Sequence, residues 1–157
     1  MALAHKGTVM LRTRRLLLRR FKPGDEEAMF ANWTSDPNVA AFMRWAPHAT
    51  LEETRGLLAD ILAQYEKPDF YRWGITVAES GGLIGIMALM PVSERDSCYD
   101  VAYCVGRPWQ GWGFATEALT AVLAFAFTEV GVNRVEAYHS VNNPASGRVL
   151  AKAGLIK

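Results

Sequence analysis

The chain has 157 residues, half of them hydrophobic and about a fifth charged, a balance typical of one folded domain rather than a disordered chain. Its 17 basic and 16 acidic side chains leave a net charge of +1, so no overall field would attract nucleic acid. No apolar stretch approaches the roughly 20 residues that a membrane-spanning helix needs, and no apolar signal segment opens the chain. We therefore expect one cytoplasmic domain over residues 1–157, with neither a nucleic-acid partner nor a membrane.

The first part of the chain predicts a strand and two helices. Residues 8–21 alternate in polarity and are rich in Leu, Val and Phe, which predicts a strand. Residues 25–34 carry acidic side chains in their first turn and apolar ones at helical spacing, and Asp36-Pro37 ends this helix. A second helix is predicted to begin at Thr50, which stands three residues before Glu53 as in a capping box.

The middle of the chain changes from helical to strand periodicity. Residues 70–78 and 83–90 are apolar, and Ser80-Gly81-Gly82 between them predicts a hairpin. A third apolar strand is predicted over residues 98–105, in which Asp100 is the only charged residue. This pattern predicts a buried carboxylate in the interior of a strand.

The remaining elements are a helix, a strand and a short helix. Residues 115–130 have apolar side chains at helical spacing, and Gly131 is a typical C-terminal stop. Residues 134–141 predict a strand, and Asn143-Pro144 predicts the start of a helix that covers 146–153. The predicted order is β-α-α-β-β-β-α-β-α, an α/β fold in the broad sense and α+β in the narrower one.

The cysteines and histidines predict neither a disulfide nor a metal site. Cys98 and Cys104 lie six residues apart in one predicted strand, which at 3.3 Å per residue separates them by roughly 20 Å, beyond disulfide reach. His5, His48 and His139 are scattered along the chain and lack the clustered spacing of metal ligands. We expect free thiols and no metal.

Between the strand 98–105 and the helix 115–130 lies the segment Gln110-Gly111-Trp112-Gly113-Phe114-Ala115. Glycines let the main chain approach an anion without a Cβ, and the first amides of a helix have no partner inside it, so the segment predicts a phosphate site. A simple turn also explains such glycines. Two nucleotide motifs do not fit, because a Rossmann fingerprint needs Gly or Ala where Thr116 stands and a P-loop ends in Lys-Ser or Lys-Thr.

The same segment has the form Q-x-x-G-x-A and resembles the phosphate loop of the GNAT superfamily of N-acetyltransferases. Other segments, in order and at family-like spacing, resemble the branch that contains the ribosomal-protein N-terminal (alanine/serine) acetyltransferases. They are Arg15-Leu16-Leu17-Leu18-Arg19, Thr50-Leu51-Glu52-Glu53-Thr54, residues 109–118, Asn143-Pro144-Ala145-Ser146 and Arg148-Val149-Leu150. Together they cover nearly the whole chain.

The resemblance implies a mixed, mostly antiparallel sheet that is flanked by helices and splays at its centre, between the strands 98–105 and 134–141. Acetyl-CoA would enter this wedge as co-substrate, with its pantetheine on the strand edge and its phosphates on the glycine loop. The implied cofactor-binding residues are Cys104, Val105, Gln110, Gly111, Trp112, Gly113, Phe114, Ala115, Thr116, Asn143 and Ser146. Family members usually continue into a further strand pair beyond a segment like 153–155. We therefore expect a chain shortened at its C-terminus, which leaves the oligomeric state, monomer or homodimer, open.

The resemblance also points to catalytic residues. An attacking amine must be neutral, although an α-amine has a pKa near ~8 and a lysine near ~10.4, so a base is useful. Asp100 stands where the resembled branch often has Glu, and burial would raise its pKa towards that of a working base; a purely structural role is the alternative. Ser146 matches the serine of the family's Asn-x-x-Ser motif and is the candidate donor to the CoA thiolate, or else a helix-capping residue. Tyr138 and His139 point to opposite faces of their strand and rank below Asp100 as bases.

These observations predict an enzyme that transfers an acetyl group from acetyl-CoA to a primary amine by direct attack in a ternary complex. The resemblance favours a protein N-terminal amine, while a small-molecule amine such as an antibiotic, polyamine or amino acid stays open. Two other classes of protein are alternatives. A non-catalytic acyl-CoA-binding module would need neither Asp100 nor Ser146, and an interaction domain would use the glycine loop only as a turn.

Overall fold

The computed structural model describes residues 3–40, 46–93, 95 and 97–137. Six strands within them form one sheet, in which the spatial order equals the chain order. The strands are β1 (Leu11–Arg12), β2 (Leu16–Arg19), β3 (Tyr71–Val77), β4 (Leu83–Ser93), β5 (Cys98–Val105) and β6 (Arg134–Ala137). All neighbours are antiparallel except β5 and β6, which are parallel. The predicted mixed, mostly antiparallel sheet is confirmed.

Helices flank the sheet. They are α1 (Glu26–Met29), which continues as the π-helical segment Phe30–Thr34, α2 (Pro37–Ala40), α3 (Leu51–Gln64) and α4 (Phe114–Ala124), which continues as the π-helical segment Phe125–Val130. The Thr50 hydroxyl accepts a hydrogen bond from the Glu53 amide at 3.4 Å, which confirms the predicted start of α3. Gly131 ends the last segment with φ of +87°, as predicted. No helix among the described residues is long and apolar enough to cross a bilayer.

Two elements differ from the sequence prediction. The expected strand over 8–21 is a short hairpin, with Leu11 opposite Leu18, because Thr13, Arg14 and Arg15 form a turn that reverses the chain. The second difference is α2, which the sequence analysis did not predict. The Asp36 carboxylate caps it by accepting from the Asn38 amide at 2.9 Å, and proline is well suited to the first helical position.

Two hydrophobic cores lie on opposite faces of the sheet. The first lies between the sheet and α4 and contains the fully buried Tyr71 and Trp73. The second lies under α1 and α3 and contains Met29, Leu58 and Cys104. Burying one large apolar side chain stabilises the fold by about 1.5–3 kcal/mol, so these two cores hold both helical layers against the strands.

The parallel pairing of β5 and β6 runs from Cys98 opposite Arg134 to Val101 opposite Ala137. Residues 102–105 continue β5 beyond these pairs, towards the glycine loop. The first four residues of the predicted strand 134–141 are therefore confirmed. The rest of that strand, the splay expected there and the predicted helix 146–153 lie outside the described residues.

Candidate active site

The connection between β5 and α4 turns on two glycines. After β5, a 3-10 turn over Arg107–Trp109 leads to Gly111 and Gly113, which are exposed and both have φ of +83°. A residue with a side chain pays about 1–2 kcal/mol in this left-handed region, so glycine is favoured at both positions. Gly113 is the N-cap residue of α4, and Phe114 is its first helical residue. The chain thus passes from the end of β5 through an exposed glycine loop into α4, whose first residue is buried.

The N-terminus of α4 presents main-chain amides without partners in the helix. The first helical bond joins the Glu117 amide to the Gly113 carbonyl at 3.0 Å. The amides of Gly113, Phe114, Ala115 and Thr116 precede it and make no hydrogen bond with the described residues. Together with the positive end of the helix dipole, these donors form a site for an anion such as a pyrophosphate.

Two side chains of the loop have distinct positions. Gln110 turns back and donates from Nε2 to the Val105 carbonyl at 2.9 Å, which fixes the loop to the end of β5. The Trp112 indole is 64% exposed and stacks on the Phe114 ring, with centroids 6.4 Å apart and planes 7° apart. Gln110 therefore shapes the loop, whereas Trp112 forms part of its outer surface.

A charged cluster from the β1–β2 turn fixes the loop from the other side. The Arg15 guanidinium donates from Nε to Glu117 at 2.7 Å and from Nη1 to the Trp112 carbonyl at 2.9 Å, and it lies 4.4 Å from the centroid of the Phe114 ring. The Glu117 carboxylate also accepts from the Arg15 amide at 2.8 Å and from the Thr13 hydroxyl. Burial alone would raise the pKa of Glu117, but the bonds from Thr13 and Arg15 outweigh it and hold that pKa below its ordinary value.

Sequence reasoning missed the role of this Arg15–Glu117 cluster. Arg15 and Glu117 both lie in segments that carry the family resemblance, but 102 residues separate them. Only the packing of the β1–β2 turn against the first turn of α4 brings them together. In the sequence, the opposite charges of the two segments were the one indication that these residues could pair.

An ion pair connects the start of the glycine loop to α2. Arg107 Nε lies 2.6 Å from Asp36 Oδ2, and this hydrogen bond lowers the pKa of Asp36 below its ordinary value. Asp36 also caps α2, as described above. The loop that presents the amides is thereby tied to the helical layer on the opposite face of the sheet.

Asp100 lies on β5 at a half-buried position, so the predicted burial is only partial. Its cross-strand neighbours are Met90 in β4 and Glu136 in β6. Because paired residues of neighbouring strands project to the same face, Asp100 and Glu136 place two carboxylates side by side. Glu136 pairs with Arg134, whose Nη2 lies 3.2 Å from Glu136 Oε1. The second core reaches Cys104 but not this end of β5, which explains the partial exposure.

The main-chain directions of β5 follow from its pairing with β4. The Gly106 amide donates to the Ile84 carbonyl at 2.8 Å, and residues of an antiparallel pair bond alternately to one side and the other. The main chain of Cys104 therefore faces β4, whereas those of Tyr103 and Val105 face the side on which β6 lies. The Cys104 thiol is buried, and burial raises its pKa to about 12, so it stays protonated and is a poor nucleophile. Of the two predicted cofactor-binding residues on β5, only Val105 has its main chain on the β6 side.

Comparison with known proteins identifies the family. The acetyltransferase (GNAT) domain matches residues 15–156. The chain belongs to the GNAT acetyltransferase family. It is similar to the uncharacterized N-acetyltransferase YoaA of Bacillus subtilis, with 28% identity over 149 residues, 94% of this chain and 83% of that protein. The [ribosomal protein uS5]-alanine N-acetyltransferase of Escherichia coli is 36% identical over 61 residues, which cover 39% of this chain and 31% of that protein.

Solved structures share the fold of this GNAT acetyltransferase. A GNAT-family acetyltransferase from Bacillus anthracis superposes with a TM-score of 0.82 at 24% identity, over 93% of this chain and 82% of that one. A putative ribosomal-protein-serine acetyltransferase from Vibrio cholerae superposes with a TM-score of 0.83 at 20% identity, over 95% and 84%. At these identities the likeness concerns the fold. The family establishes that the chain is an N-acetyltransferase, and its members use acetyl-CoA as co-substrate.

The described residues of this GNAT acetyltransferase contain only part of the predicted site. Gln110 to Thr116 lie together at the start of α4, and Asp100 lies on the strand that leads into them. Asn143, Ser146, Tyr138 and His139 fall outside the described residues, so their roles stay predictions. Within the described residues, no three His, Cys, Asp or Glu side chains cluster as metal ligands would.

Proposed function

We propose that this GNAT acetyltransferase moves the acetyl group of acetyl-CoA directly to a primary amine while both substrates are bound. The nitrogen lone pair of the amine attacks the thioester carbonyl carbon, the C–S bond breaks, and CoA leaves as the thiolate. The proton lost by the amine passes to Asp100, directly or through water. Ser146 donates a hydrogen bond or a proton to the departing sulfur. No covalent enzyme intermediate forms, in keeping with the buried and protonated Cys104.

The observation that carries this proposal is the set of four amides at the start of α4. A diphosphate needs several donors and room for its oxygens, and the exposed glycine loop supplies both. No side chain caps this helix, so the amides are available to a ligand. The pantetheine would then run along β5, where the main chains of Tyr103 and Val105 face the β6 side, and bring the thioester towards Asp100.

The proposed acceptor is the α-amine at the N-terminus of a protein. The E. coli relative, named as a ribosomal protein uS5-alanine N-acetyltransferase, supports this class through the 61 residues over which it is 36% identical to the chain. An α-amine has a pKa near ~8, so most of it is protonated at neutral pH, although its neutral fraction exceeds that of a lysine amine with a pKa near ~10.4. A half-buried carboxylate such as Asp100 then has a modest task, the removal of one proton as the bond forms.

Two measurements test the proposal. Acetyl-CoA should raise the melting temperature, because a ligand that binds only the folded state stabilises it. Mass spectrometry should then detect acetylation in a library that contains peptides with free and blocked N-termini, polyamines, amino acids and aminoglycosides. Acetylation of the unblocked peptides alone supports the protein N-terminus, and acetylation of another group replaces the acceptor class. Stabilisation without any acetylation would indicate a binding module, and no stabilisation would refute the phosphate site.

A further inference from the structure

A cavity of about 230 Å³ lies at the end of the sheet where β3 begins. Met90, the direct cross-strand neighbour of Asp100, forms part of its wall. The lining residues are Gln64, Lys67, Asp69, Phe70, Tyr71, Arg72, Leu89, Met90 and Pro91. Two of these side chains are cationic and one is anionic, so the cavity carries a net positive charge.

Arg72 is the half-buried cation of this wall. Its guanidinium lies 4.7 Å from the centroid of the Phe70 ring and donates from Nη1 to the Tyr71 carbonyl at 3.0 Å. Among the described residues it has no carboxylate partner, although a guanidinium carries five donors. Burial lowers the pKa of Arg72. The ordinary pKa of a guanidinium is so high that the group nevertheless stays charged. A half-buried cation without a counterion is costly unless a ligand or solvent completes its hydrogen bonds.

The main chain of Arg72 is held rigidly. Its amide donates to the Thr8 hydroxyl at 3.1 Å, and its carbonyl accepts from the Tyr65 hydroxyl at 2.8 Å. The aromatic ring under the guanidinium restricts the side chain further. Rigid positioning of this kind favours recognition, because little freedom is lost when a ligand binds.

Arg72 and Asp100 project from the same face of the sheet. Arg72 pairs with Ala88 and Ala88 pairs with Ala102, while Asp100 lies two residues from Ala102 on β5. The two strands are two spacings apart, which is roughly 9–10 Å. Between them on this face lie the buried Ala88, the half-buried Ala102 and Met90, which also lines the cavity. An acceptor that lies in the cavity along Met90 would reach both charged groups.

We propose that Arg72 binds a carboxylate of the acceptor, so that the preferred substrate is a primary amine that also carries an acidic group. This inference rests on the proposed function and narrows its substrate class. The amine lies at Asp100 and the carboxylate at Arg72, two strand spacings across the sheet and two residues along it. An acidic side chain next to a peptide N-terminus and the carboxylate of a free amino acid both supply this chemistry.

Matched acceptors test the inference. Peptides that begin Ala-Glu and Ala-Gln differ in one charge, and lysine and cadaverine differ in one carboxylate, so the two pairs separate peptide from small-molecule sources. In one of the two pairs, the peptides or the small molecules, we expect kcat/KM for the acidic acceptor to exceed that for its neutral partner by about 10- to 100-fold. This is the range of a charge-assisted hydrogen bond. Arg72→Gln should reduce this ratio to about one, and it should do so by raising KM rather than by lowering kcat for the acidic acceptor.

Arg20 provides the control variant. Its guanidinium also lies over an aromatic ring, 4.9 Å from the centroid of Tyr65, but it does not line the cavity. Arg20→Gln should leave the acid preference intact. If Arg72→Gln fails to fold, Arg72→Lys takes its place and should lower the preference at least about threefold, because an ammonium lacks the planar fork.

Three outcomes distinguish the acid preference from the proposed function. Loss of acid preference in the Arg72 variant but not in the Arg20 variant supports the inference. Equal use of acidic and neutral acceptors by the unmodified enzyme, or an unchanged preference in the Arg72 variant, overturns the inference and leaves the proposed function standing. Failure to acetylate any amine, despite stabilisation by acetyl-CoA, overturns the proposed function and this inference with it.

Discussion

The glycine loop (residues 111–116) and the part of β5 around Asp100 contribute to the site by opposite means. The loop offers main-chain amides, whose directions depend on two glycines in the left-handed region. β5 offers a carboxylate on a strand that is paired on both sides, with β4 and with β6. In the loop, a substitution matters mainly where it adds a Cβ to a glycine. On β5, the proposed mechanism depends on the carboxylate of Asp100, so a substitution that removes this group should matter most.

The largest expected effect comes from removing the charge of Asp100 at nearly constant size. If Asp100 takes the proton of the amine, Asp100→Asn should lower the acetylation rate at neutral pH about 10²- to 10⁴-fold, with acetyl-CoA affinity nearly unchanged. A higher pH should partly restore the rate, because more of the amine is then neutral without help from the enzyme. Steady-state kinetics as a function of pH measures both effects.

Glu136 provides the control for Asp100, because the two residues are paired across β5 and β6. Glu136→Gln removes a neighbouring negative charge and should change the rate no more than about twofold. A wild-type rate and pH profile in Asp100→Asn would assign Asp100 a structural role. The proton would then leave through water, Tyr138 or His139.

A Cβ at Gly113 tests the loop. Gly113→Val should weaken acetyl-CoA binding at least about a hundredfold, because the side chain blocks the approach of a phosphate to amides whose charge-assisted bonds contribute about 1.5–3 kcal/mol each. The new Cβ would also lie 3.3 Å from an Arg15 guanidinium nitrogen. Isothermal titration with acetyl-CoA gives the affinity.

Gly81→Val is a control that separates the backbone strain of replacing a glycine from the steric blocking of the phosphate site. Gly81 lies in the β3–β4 turn with φ of +75° and open space around it, so Gly81→Val carries a similar backbone cost away from the loop. We expect a comparable loss of stability in both variants and normal acetyl-CoA binding in Gly81→Val. Undiminished affinity in a folded Gly113→Val protein would mean that the phosphates bind elsewhere.

The Arg15–Glu117 cluster connects the loop to the rest of the fold and should have a smaller effect. Glu117→Ala removes the acceptor of three hydrogen bonds and should cost about 1–2 kcal/mol, or about 2–8 °C in Tm. The pKa of Glu117 is lowered in the folded state, so its contribution is present above the ordinary value of 4.5 and lost as the pH falls through the lowered pKa. The difference in Tm between the two proteins should therefore shrink in acid. An equal difference at every pH would contradict this account.

The smallest effect concerns the Arg107–Asp36 ion pair. Arg107→Gln should let the pKa of Asp36 rise towards its ordinary value of 3.8, because the hydrogen bond from Arg107 is the main cause of its lowering. Carboxyl carbon NMR as a function of pH gives this pKa directly. An unchanged pKa would mean that the Asn38 and Val39 amides, which also lower the pKa of Asp36, are the main cause instead of Arg107.

Local patterns in the sequence were enough for most of the elements. The Thr50 cap, the Gly81 turn and the Gly131 stop each depend on one or two residues and their own main chain, and the structure confirms all three. The hairpin within residues 8–21 was missed because alternation continues on both sides of a polar turn. Periodicity reports which face a residue occupies but not whether the chain reverses.

By itself, the sequence indicated the family, most of the strands and helices and the location of the glycine loop, because motifs and periodicity act within short segments. Only the tertiary structure decided which side chains meet. Arg15 reaches Glu117, Arg107 reaches Asp36 and Asp100 lies beside Glu136 through packing and strand register. Register also turned the main chain of Cys104 towards β4. It placed Arg72 in a cavity wall, where no carboxylate of the described residues pairs with it. A shift of one residue in register would reverse each strand's faces, and no local pattern specifies which distant strand is the partner.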